Sequence, residues 1–275
     1  MNKSLRLLAL LAVGVMVLSA GGCNKLQARD QLNKGVQAYK NAKYEEAIDH
    51  FQKAVSLDPK LLNARLYLAT AFAQQYIPGA DTPDNNQVGN QAIDEFKKVL
   101  DMNPGRDQQT TSLKGIASLY FNMKKMDDAK QYHKKVAELD PNDPEAYYSI
   151  GVIDWTQAYQ NAAETKSKEG MKVDDDISKN KKLCPQLKQE NDPLVQDGID
   201  NLNKALQLRP DYDDAMAYMN LMYRRKADLE CGDADARAAD LKTADDWVDK
   251  TMATKKAKAE KQPGATGITV DQTNK

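Results

Sequence analysis

The side chains that could carry out chemistry are mainly three cysteines and two histidines. The cysteines are Cys23, Cys184 and Cys231, and no two of them form the Cys-x-x-Cys motif of redox enzymes. The histidines, His50 and His133, lack the His-Glu-x-x-His spacing that brings two imidazoles to one zinc ion. We therefore expect packed or surface histidines, and neither redox nor metal chemistry at these positions.

The carboxylates give no catalytic pattern either. Asp81, Asp84 and Asn85 carry oxygen ligands of the kind that calcium prefers, but the EF-hand pattern is absent, so we interpret them as a solvated turn. The sequence contains no nucleophile motif, no glycine-rich phosphate loop and no paired-carboxylate signature. It predicts a protein that is not an enzyme and that needs no metal and no cofactor.

The charge balance limits the classes of partner. The chain has 39 lysines and arginines against 40 aspartates and glutamates, a formal net charge of −1. A nucleic-acid-binding protein needs a basic face to neutralise phosphates. The near-balance argues against nucleic acid as a partner.

Residues 1–22 have the features of a targeting segment. A basic amino-terminal region precedes an apolar run at 7–18, which is shorter than the about 20 residues of a transmembrane helix. The sequence Ser-Ala-Gly-Gly-Cys at 19–23 then resembles a lipobox, the signal for attachment of diacylglycerol to Cys23 and for cleavage before it. Ala20 stands where leucine is favoured. The alternative is an ordinary signal peptide followed by an incidental cysteine.

The lipobox resemblance implies a membrane anchor on Cys23. Acyl chains such as palmitate hold a protein firmly when several are attached. The next residue is Asn24, not aspartate, and by resemblance to Gram-negative lipoproteins this favours the outer membrane, with the protein facing the periplasm. Residues 23–27 would form a short tether, so we expect the folded part to lie close to the membrane surface.

The stretch 28–61 has the pattern of a helical hairpin. Gly35 lets two helices pack closely, Tyr39 and Phe51 fill the space between them, and Asp58-Pro59 ends the second helix. This stretch resembles a tetratricopeptide repeat, a helix–turn–helix unit of about 34 residues. Four further units follow, and the last matches poorly, as terminal capping units do.

The resemblance covers residues 28–252. It implies an all-α tetratricopeptide-repeat solenoid of about five stacked helix–turn–helix units. We predict long insertions between the first and second helices of three units, near 76–89, 156–195 and 230–234. Residues 253–275 are polar and contain few apolar side chains, so they are predicted to be disordered.

Two of the cysteines fall in the last two insertions. In this repeat architecture Cys184 and Cys231 would lie on the same rim of adjacent units. The envelope outside the inner membrane is oxidising. If Cys23 carries the lipid, Cys184 and Cys231 are the two cysteines that remain, and we expect a disulfide between them. It would close a loop of about 47 residues and contribute about 4 kcal/mol to stability.

In this family the first helices line a concave groove that holds a partner. Carrying the groove positions over residue by residue gives an aromatic run with a basic end: Tyr39, Phe121, Asn122, Tyr148, Trp155, Arg224 and Arg225. Aromatic and arginine side chains dominate binding hot spots. The alternative is that some of these side chains pack against the insertions. The asparagine and lysine pattern that clamps a terminal carboxylate is not matched, because Val36, Thr70 and Ser118 occupy its places.

The resemblance implies a non-enzymatic scaffold. It would hold an unidentified protein or peptide partner beside the outer membrane, in envelope assembly, secretion or pilus biogenesis. The alternative is a ligand-handling or enzyme-accessory lipoprotein that binds a glycan or small molecule at the fourth-repeat insertion. A third possibility is a structural spacer whose basic tail contacts anionic envelope material.

Overall fold

The computed structural model describes residues 23–172 and 175–261, and within these residues it contains helices and no strand. The helices are α1 (23–40), α2 (Tyr44–Leu57), α3 (Leu62–Gln75), α4 (Pro83–Asp101), α5 (Arg106–Asn122), α6 (Met126–Leu139), α7 (Pro144–Lys168), α8 (Leu183–Leu208), α9 (Asp213–Asp228) and α10 (Ala234–Lys261). The chain divides after Leu139 into two compact units. The predicted all-α fold class of stacked helix–turn–helix units is confirmed.

The first unit contains three helical hairpins, and glycines set how closely their helices pack. A Cβ atom on Gly35 would lie 2.5 Å from Cε1 of Phe51, and one on Gly115 would lie 2.7 Å from the ring of Phe96. Both phenylalanine rings are buried, so they cannot move aside. The predicted role of Gly35 in close helix packing is therefore confirmed.

The same backbone turn ends the first helix of three hairpins. Ala42, Lys124 and Gly170 have positive φ angles of 57°, 58° and 70°. In each case the amide of the following residue donates to the carbonyl four residues before the turn residue, at 2.8–3.0 Å. This is the Schellman-type bond that satisfies the last carbonyls of a helix. The recurring turn reverses the chain within each of these hairpins.

Half of the insertion predicted at 76–89 is helical, so its predicted end is wrong. Helix α4 begins at Pro83, because Thr82 accepts a hydrogen bond from the amide of Asn85 and Pro83 stands at the first helical position. The remaining loop, 76–82, is fastened by the buried side chain of Asn85. Its amide donates to the carbonyls of Ile77 and Ala80 at 2.9 and 2.7 Å.

The insertion predicted at 156–195 is mostly helical. Helices α7 and α8 have 25 and 26 residues, against 14 in α2 and in α3, so both helices of this hairpin are extended. Only residues 169–182 remain between them, of which 173 and 174 lie outside the described residues. The extra sequence therefore lengthens a helical pair.

A buried asparagine joins the two extended helices. Asn191 on α8 is 1% exposed; its amide donates to the carbonyl of Ala158 at 2.8 Å, and its side-chain oxygen accepts from Asn161 at 2.9 Å. It stands two residues before Pro193, which has no N–H for the helical ladder. These cross-helix bonds hold α8 against α7 at the point where its own backbone pattern is interrupted.

The disulfide between Cys184 and Cys231 is present, as predicted. It joins the first turn of α8 to the α9–α10 turn. Next to it, the amide of Gly232 donates to the carbonyl of Ser178 at 3.0 Å, and the side chain of Ile177 is fully buried. These contacts fix the described part of the 169–182 segment to the α9–α10 turn. In sequence, that turn coincides with the insertion predicted at 230–234.

The predicted disorder of 253–275 is wrong for residues 253–261, which form the last turns of α10. Lys258 and Lys255 pair with Asp213 of α9 at 2.5 and 4.0 Å, and Thr254 lies 3.5 Å from the sulfur of Met216. Contacts with α9 stabilise this polar segment, although its sequence carries few apolar residues. Residues 262–275 lie outside the described residues.

Residues 23–27, the predicted short tether, are helical and belong to α1. Cys23 is exposed at the start of the described chain. The predicted signal peptide, 1–22, lies outside the described residues. Over the part of the chain that the structure describes, no helix combines the length and apolar character needed to cross a membrane.

Candidate functional site

Four aromatic side chains of the second unit form a connected surface. Tyr148, Trp155 and Tyr159 lie on α7 and Tyr218 lies on α9. Spacings of seven and four residues place the three α7 rings on one face of that helix. We call these four residues the aromatic surface.

The rings of the aromatic surface are held in favourable geometry. The ring of Tyr218 stands edge-on to both Tyr148 and Trp155, with centroid distances of 5.6 and 5.5 Å. Trp155 stacks on Tyr159 at 5.3 Å with an interplanar angle of 24°. Edge-on and offset-stacked pairs are the preferred aromatic arrangements. Each ring is therefore positioned by its neighbours before any partner binds.

Exposure rises along the aromatic surface. Tyr148, Trp155 and Tyr218 are partly buried, whereas Tyr159 is 36% exposed. The indole Nε1–H of Trp155 is buried and donates to no acceptor among the described residues. Tyr159 is thus the most accessible ring, and Trp155 carries an unsatisfied hydrogen-bond donor.

The tyrosine hydroxyls of this surface stay protonated at neutral pH. Burial is the main cause that raises the pKa of Tyr148 and of Tyr218 above the ordinary tyrosine value, and the negative charge of Asp214 raises both further. Tyr218 and Glu145 add to the shift of Tyr148. Both hydroxyls can therefore donate hydrogen bonds to a partner.

A polar cluster fixes one end of the surface. Glu145 at the start of α7 accepts hydrogen bonds from Arg209, at 2.7 Å, and from the hydroxyl of Tyr212. The guanidinium of Arg209 lies over the ring of Tyr212 at 4.3 Å, and that ring contacts Tyr148 at 4.9 Å. The starts of α7 and α9 are thereby tied together, so the two helices present their rings side by side.

The two predicted arginines differ in where they lie. The guanidinium of Arg225 lies 5.8 Å from the ring of Tyr159 and 3.0 Å from Asp228. Arg224 instead pairs with Asp245 of α10 at 2.8 Å. Arg225 therefore borders the aromatic surface, whereas Arg224 is directed to α10.

The other predicted residues lie in the first unit, and ring contacts do not join them. Tyr39 on α1 packs edge-on against Tyr44 at 5.4 Å. Phe121 on α5 is partly buried and makes no ring–ring contact within the described ranges. Asn122 lines a small cleft beside the 76–82 loop. Within this unit the predicted residues stay separate.

Sequence reasoning missed Tyr159 and Tyr218. A signal for each was available, because Tyr159 lies one turn after Trp155, and Tyr218 lies two turns before the predicted groove residue Arg225. Tyr212 had no such signal. It precedes α9, and only the folded hairpins bring its ring to Tyr148.

The fourth-repeat insertion offers a polar cleft. Its described interior is filled by the buried side chains of Ile177 and Leu183. A cleft of about 260 Å³ lies between the ends of α7 and α8, and Asn161, Lys168 and Glu190 are among its lining residues. None of the side chains that line this cleft is aromatic, in contrast to the row of rings on α7 and α9.

Comparison with known proteins identifies the repeat. Residues 28–61 and 115–143 each match a family model for the tetratricopeptide repeat. No curated protein sequence matches the chain.

Solved structures with the same fold cover most of the chain. A crystal structure of MamA protein is 14% identical, with a TM-score of 0.58, over 88% of this chain and 98% of that one. A MamA structure (41-end) from Desulfovibrio magneticus RS-1 is 17% identical, with a TM-score of 0.54, over 84% and 96%. YrrB, described as a TPR protein with an unusual peptide-binding site, is 15% identical, with a TM-score of 0.50, over 83% and 90%. At these identities the likeness establishes the fold.

Proposed function

We propose that this chain, which contains tetratricopeptide repeats and has the fold of proteins built from them, is a non-enzymatic scaffold whose aromatic surface binds a peptide or helix of a protein partner. The fold leaves the first helices of its repeats free to contact other chains. A fold does not define a function, so the proposal depends on the side chains that this chain places there.

The observation that carries the proposal is the connected row of Tyr148, Trp155, Tyr159 and Tyr218. Tryptophan and tyrosine are enriched in hot spots, and the partly exposed Tyr159 gives access to the row. Ring–ring contacts fix the side chains in advance, so binding costs little side-chain entropy. An aromatic row of this kind suits a protein segment.

The dimensions of the surface fit a short segment. Eleven residues of α7 separate Tyr148 from Tyr159, which corresponds to about 16 Å along the helix. An extended peptide of about five residues, or about three turns of a helix, covers that length.

The proposal includes attachment to the bacterial outer membrane through lipid on Cys23, with the repeats facing the periplasm. Its support is the lipobox-like sequence at 19–23 and the exposed position of the cysteine. Since α1 is helical from residue 23, no extended tether would separate the lipid from the first repeat. The scaffold would hold its partner close to the bilayer, in envelope assembly, secretion or pilus biogenesis.

Photocrosslinking in cells tests the binding surface. A photoreactive amino acid replaces Tyr159, and a matched probe replaces Lys204, which is exposed on the second helix α8. One dominant protein captured from position 159 and not from 204 is the expected result. Equal capture from both positions, or none from 159, would contradict the proposed surface. In that case the polar cleft between α7 and α8 becomes the site to test with glycans and small molecules.

Mass spectrometry and fractionation test the anchor. We expect the mature protein to carry diacylglycerol on its first residue, Cys23, and to sediment with outer membranes. The Cys23→Ser variant should lose the lipid and the membrane association. An unmodified amino terminus on a protein that still sediments with membranes would contradict lipid anchoring.

A further inference from the structure

One carboxylate beside the aromatic surface, that of Asp214, has no ion pair with the part of the chain that the structure describes. Asp214 lies in the first turn of α9, four residues before Tyr218, so the two side chains share a helix face. It is exposed, and it makes no ion pair or side-chain hydrogen bond with the residues that the structure describes. After burial, its negative charge is among the causes that raise the pKa of the Tyr148 and Tyr218 hydroxyls.

The neighbouring acids are already neutralised. Glu145, three residues before Tyr148, is paired with Arg209 at 2.7 Å. Asp213 is paired with Lys258 at 2.5 Å. Asp214 therefore has no ion pair of its own among the described residues, although its charge acts, with those of Asp211 and Asp213, on Lys258.

The other end of the surface differs in charge. There Arg225 stands beside Tyr159 and shares Asp228 with Lys166, at 3.0 and 3.8 Å. The surface is thus negative near Tyr148 and Tyr218, while a guanidinium lies at the Tyr159 end. A bound segment would meet opposite charges at its two ends.

The negative end has the chemistry that attracts a cation. The faces of tyrosine rings are electronegative, and an ammonium or guanidinium over them gains a cation–π interaction. A carboxylate beside the rings adds a charge-assisted hydrogen bond to the same group. We propose that the bound protein segment places a lysine or arginine side chain against Tyr148 and Tyr218, with its charge paired to Asp214. This inference rests on the proposed function of the aromatic surface.

Nuclear magnetic resonance titration tests the preference for a cation. The probes are N-acetyl-lysine amide and N-acetyl-glutamate amide, added to the full mature chain. We expect the lysine probe to shift the indole N–H resonance of Trp155 and the backbone amides around 214–218. The glutamate probe should leave them in place. Trp247→Phe identifies the other indole signal.

Charge removal provides the matched control. Asp214→Asn should lower the affinity for the lysine probe by about three- to tenfold, as expected for loss of one ion pair beside an aromatic face. Asp246→Asn removes the same charge from an exposed position on α10 and should leave the affinity unchanged. Equal shifts from both probes, or equal weakening by both substitutions, would overturn the assignment of a cationic side chain.

Crosslinking from position 159 tests this inference separately from the proposed function on which it rests. If Asp214→Asn lowers capture of the partner by a similar factor, the assignment is supported. If the same partner is captured undiminished, the charge assignment is wrong and the aromatic surface still binds a protein. If the wild-type chain captures nothing at 159, the proposed function itself is contradicted.

Discussion

Removing the Cys184–Cys231 disulfide should destabilise the second unit alone. The bond closes a loop of 47 residues that contains α8 from its second residue onward and all of α9. In the chain-entropy model, a loop of this size contributes about 4 kcal/mol, because the crosslink restricts the unfolded chain. The variant Cys184→Ala/Cys231→Ala should lose stability of that order.

The two tryptophans make this unit separately observable. Trp155 and Trp247 are the only tryptophans of the chain, and both lie in the second unit. Urea unfolding followed by tryptophan fluorescence therefore reports on that unit. With a slope of about 1.5–2.5 kcal/mol per molar urea, a loss of about 4 kcal/mol lowers the midpoint by roughly 1.5–3 M.

The comparison is made in a Cys23→Ser background, so that the first cysteine does not react. Hydrogen exchange of peptides from α2 and α5 monitors the first unit, which should be unchanged. The protein in which Cys184 and Cys231 are reduced should have the same urea midpoint as the alanine variant. A midpoint shift below about 0.5 M would show that other contacts already restrict the loop, such as the Gly232–Ser178 hydrogen bond, and would refute the entropic estimate.

Three further outcomes follow from the packing and charges. Gly35→Ala should destabilise the first unit by about 1 kcal/mol in thermal unfolding, because the added Cβ meets the buried ring of Phe51. The cost of this overpacking exceeds the gain in helix propensity. Ile177→Ala should cost about 2–4 kcal/mol in the tryptophan-detected urea transition, since its side chain is fully buried. The hydrogen bond from Lys258 lowers the pKa of Asp213, so the contact is complete above the unfolded pKa of about 3.9 and is lost as pH falls through the lower folded value. The protection factor of the amides at the end of α10, which corrects for the intrinsic pH dependence of exchange, should fall there, and an unchanged protection factor between pH 5 and 2 would contradict the assignment.

The repeat architecture could be predicted because each unit repeats the same local rules. Gly35 and Phe51 pack as the hairpin pattern requires, and Asp58-Pro59 follows the end of α2. The helix boundaries in the insertions could not be predicted in the same way. Thr82-Pro83 is typical of a turn, yet the same pair starts α4 as its cap and first residue. Such a pair is locally compatible with both structures, and packing selects one.

Tertiary contacts also explain the misassigned carboxyl-terminal segment. Residues 253–261 look disordered in sequence because they are mostly lysine and alanine. Asp213 and Met216 of α9 supply the contacts that hold them. Charge pairing across 45 residues of sequence is not visible in local composition.

The candidate site was predictable where it depends on helix periodicity. Tyr148 and Trp155 follow from the register of the repeat, and the structure brings them together through Tyr218. Arg224 was assigned to the same face, but its partner Asp245 lies on α10, and a pairing between helices is not encoded in the spacing of either one.

The most direct test of the binding surface compares two tryptophan substitutions. The partner captured at position 159 is purified, and its affinity is measured for Trp155→Ala and for Trp247→Ala. Trp247 is also packed against the core of the second unit, so it controls for loss of stability. We expect binding about tenfold weaker or more for Trp155→Ala, as for a hot-spot residue, and a change of less than about twofold for Trp247→Ala. Equal effects of the two substitutions would contradict binding at the aromatic surface.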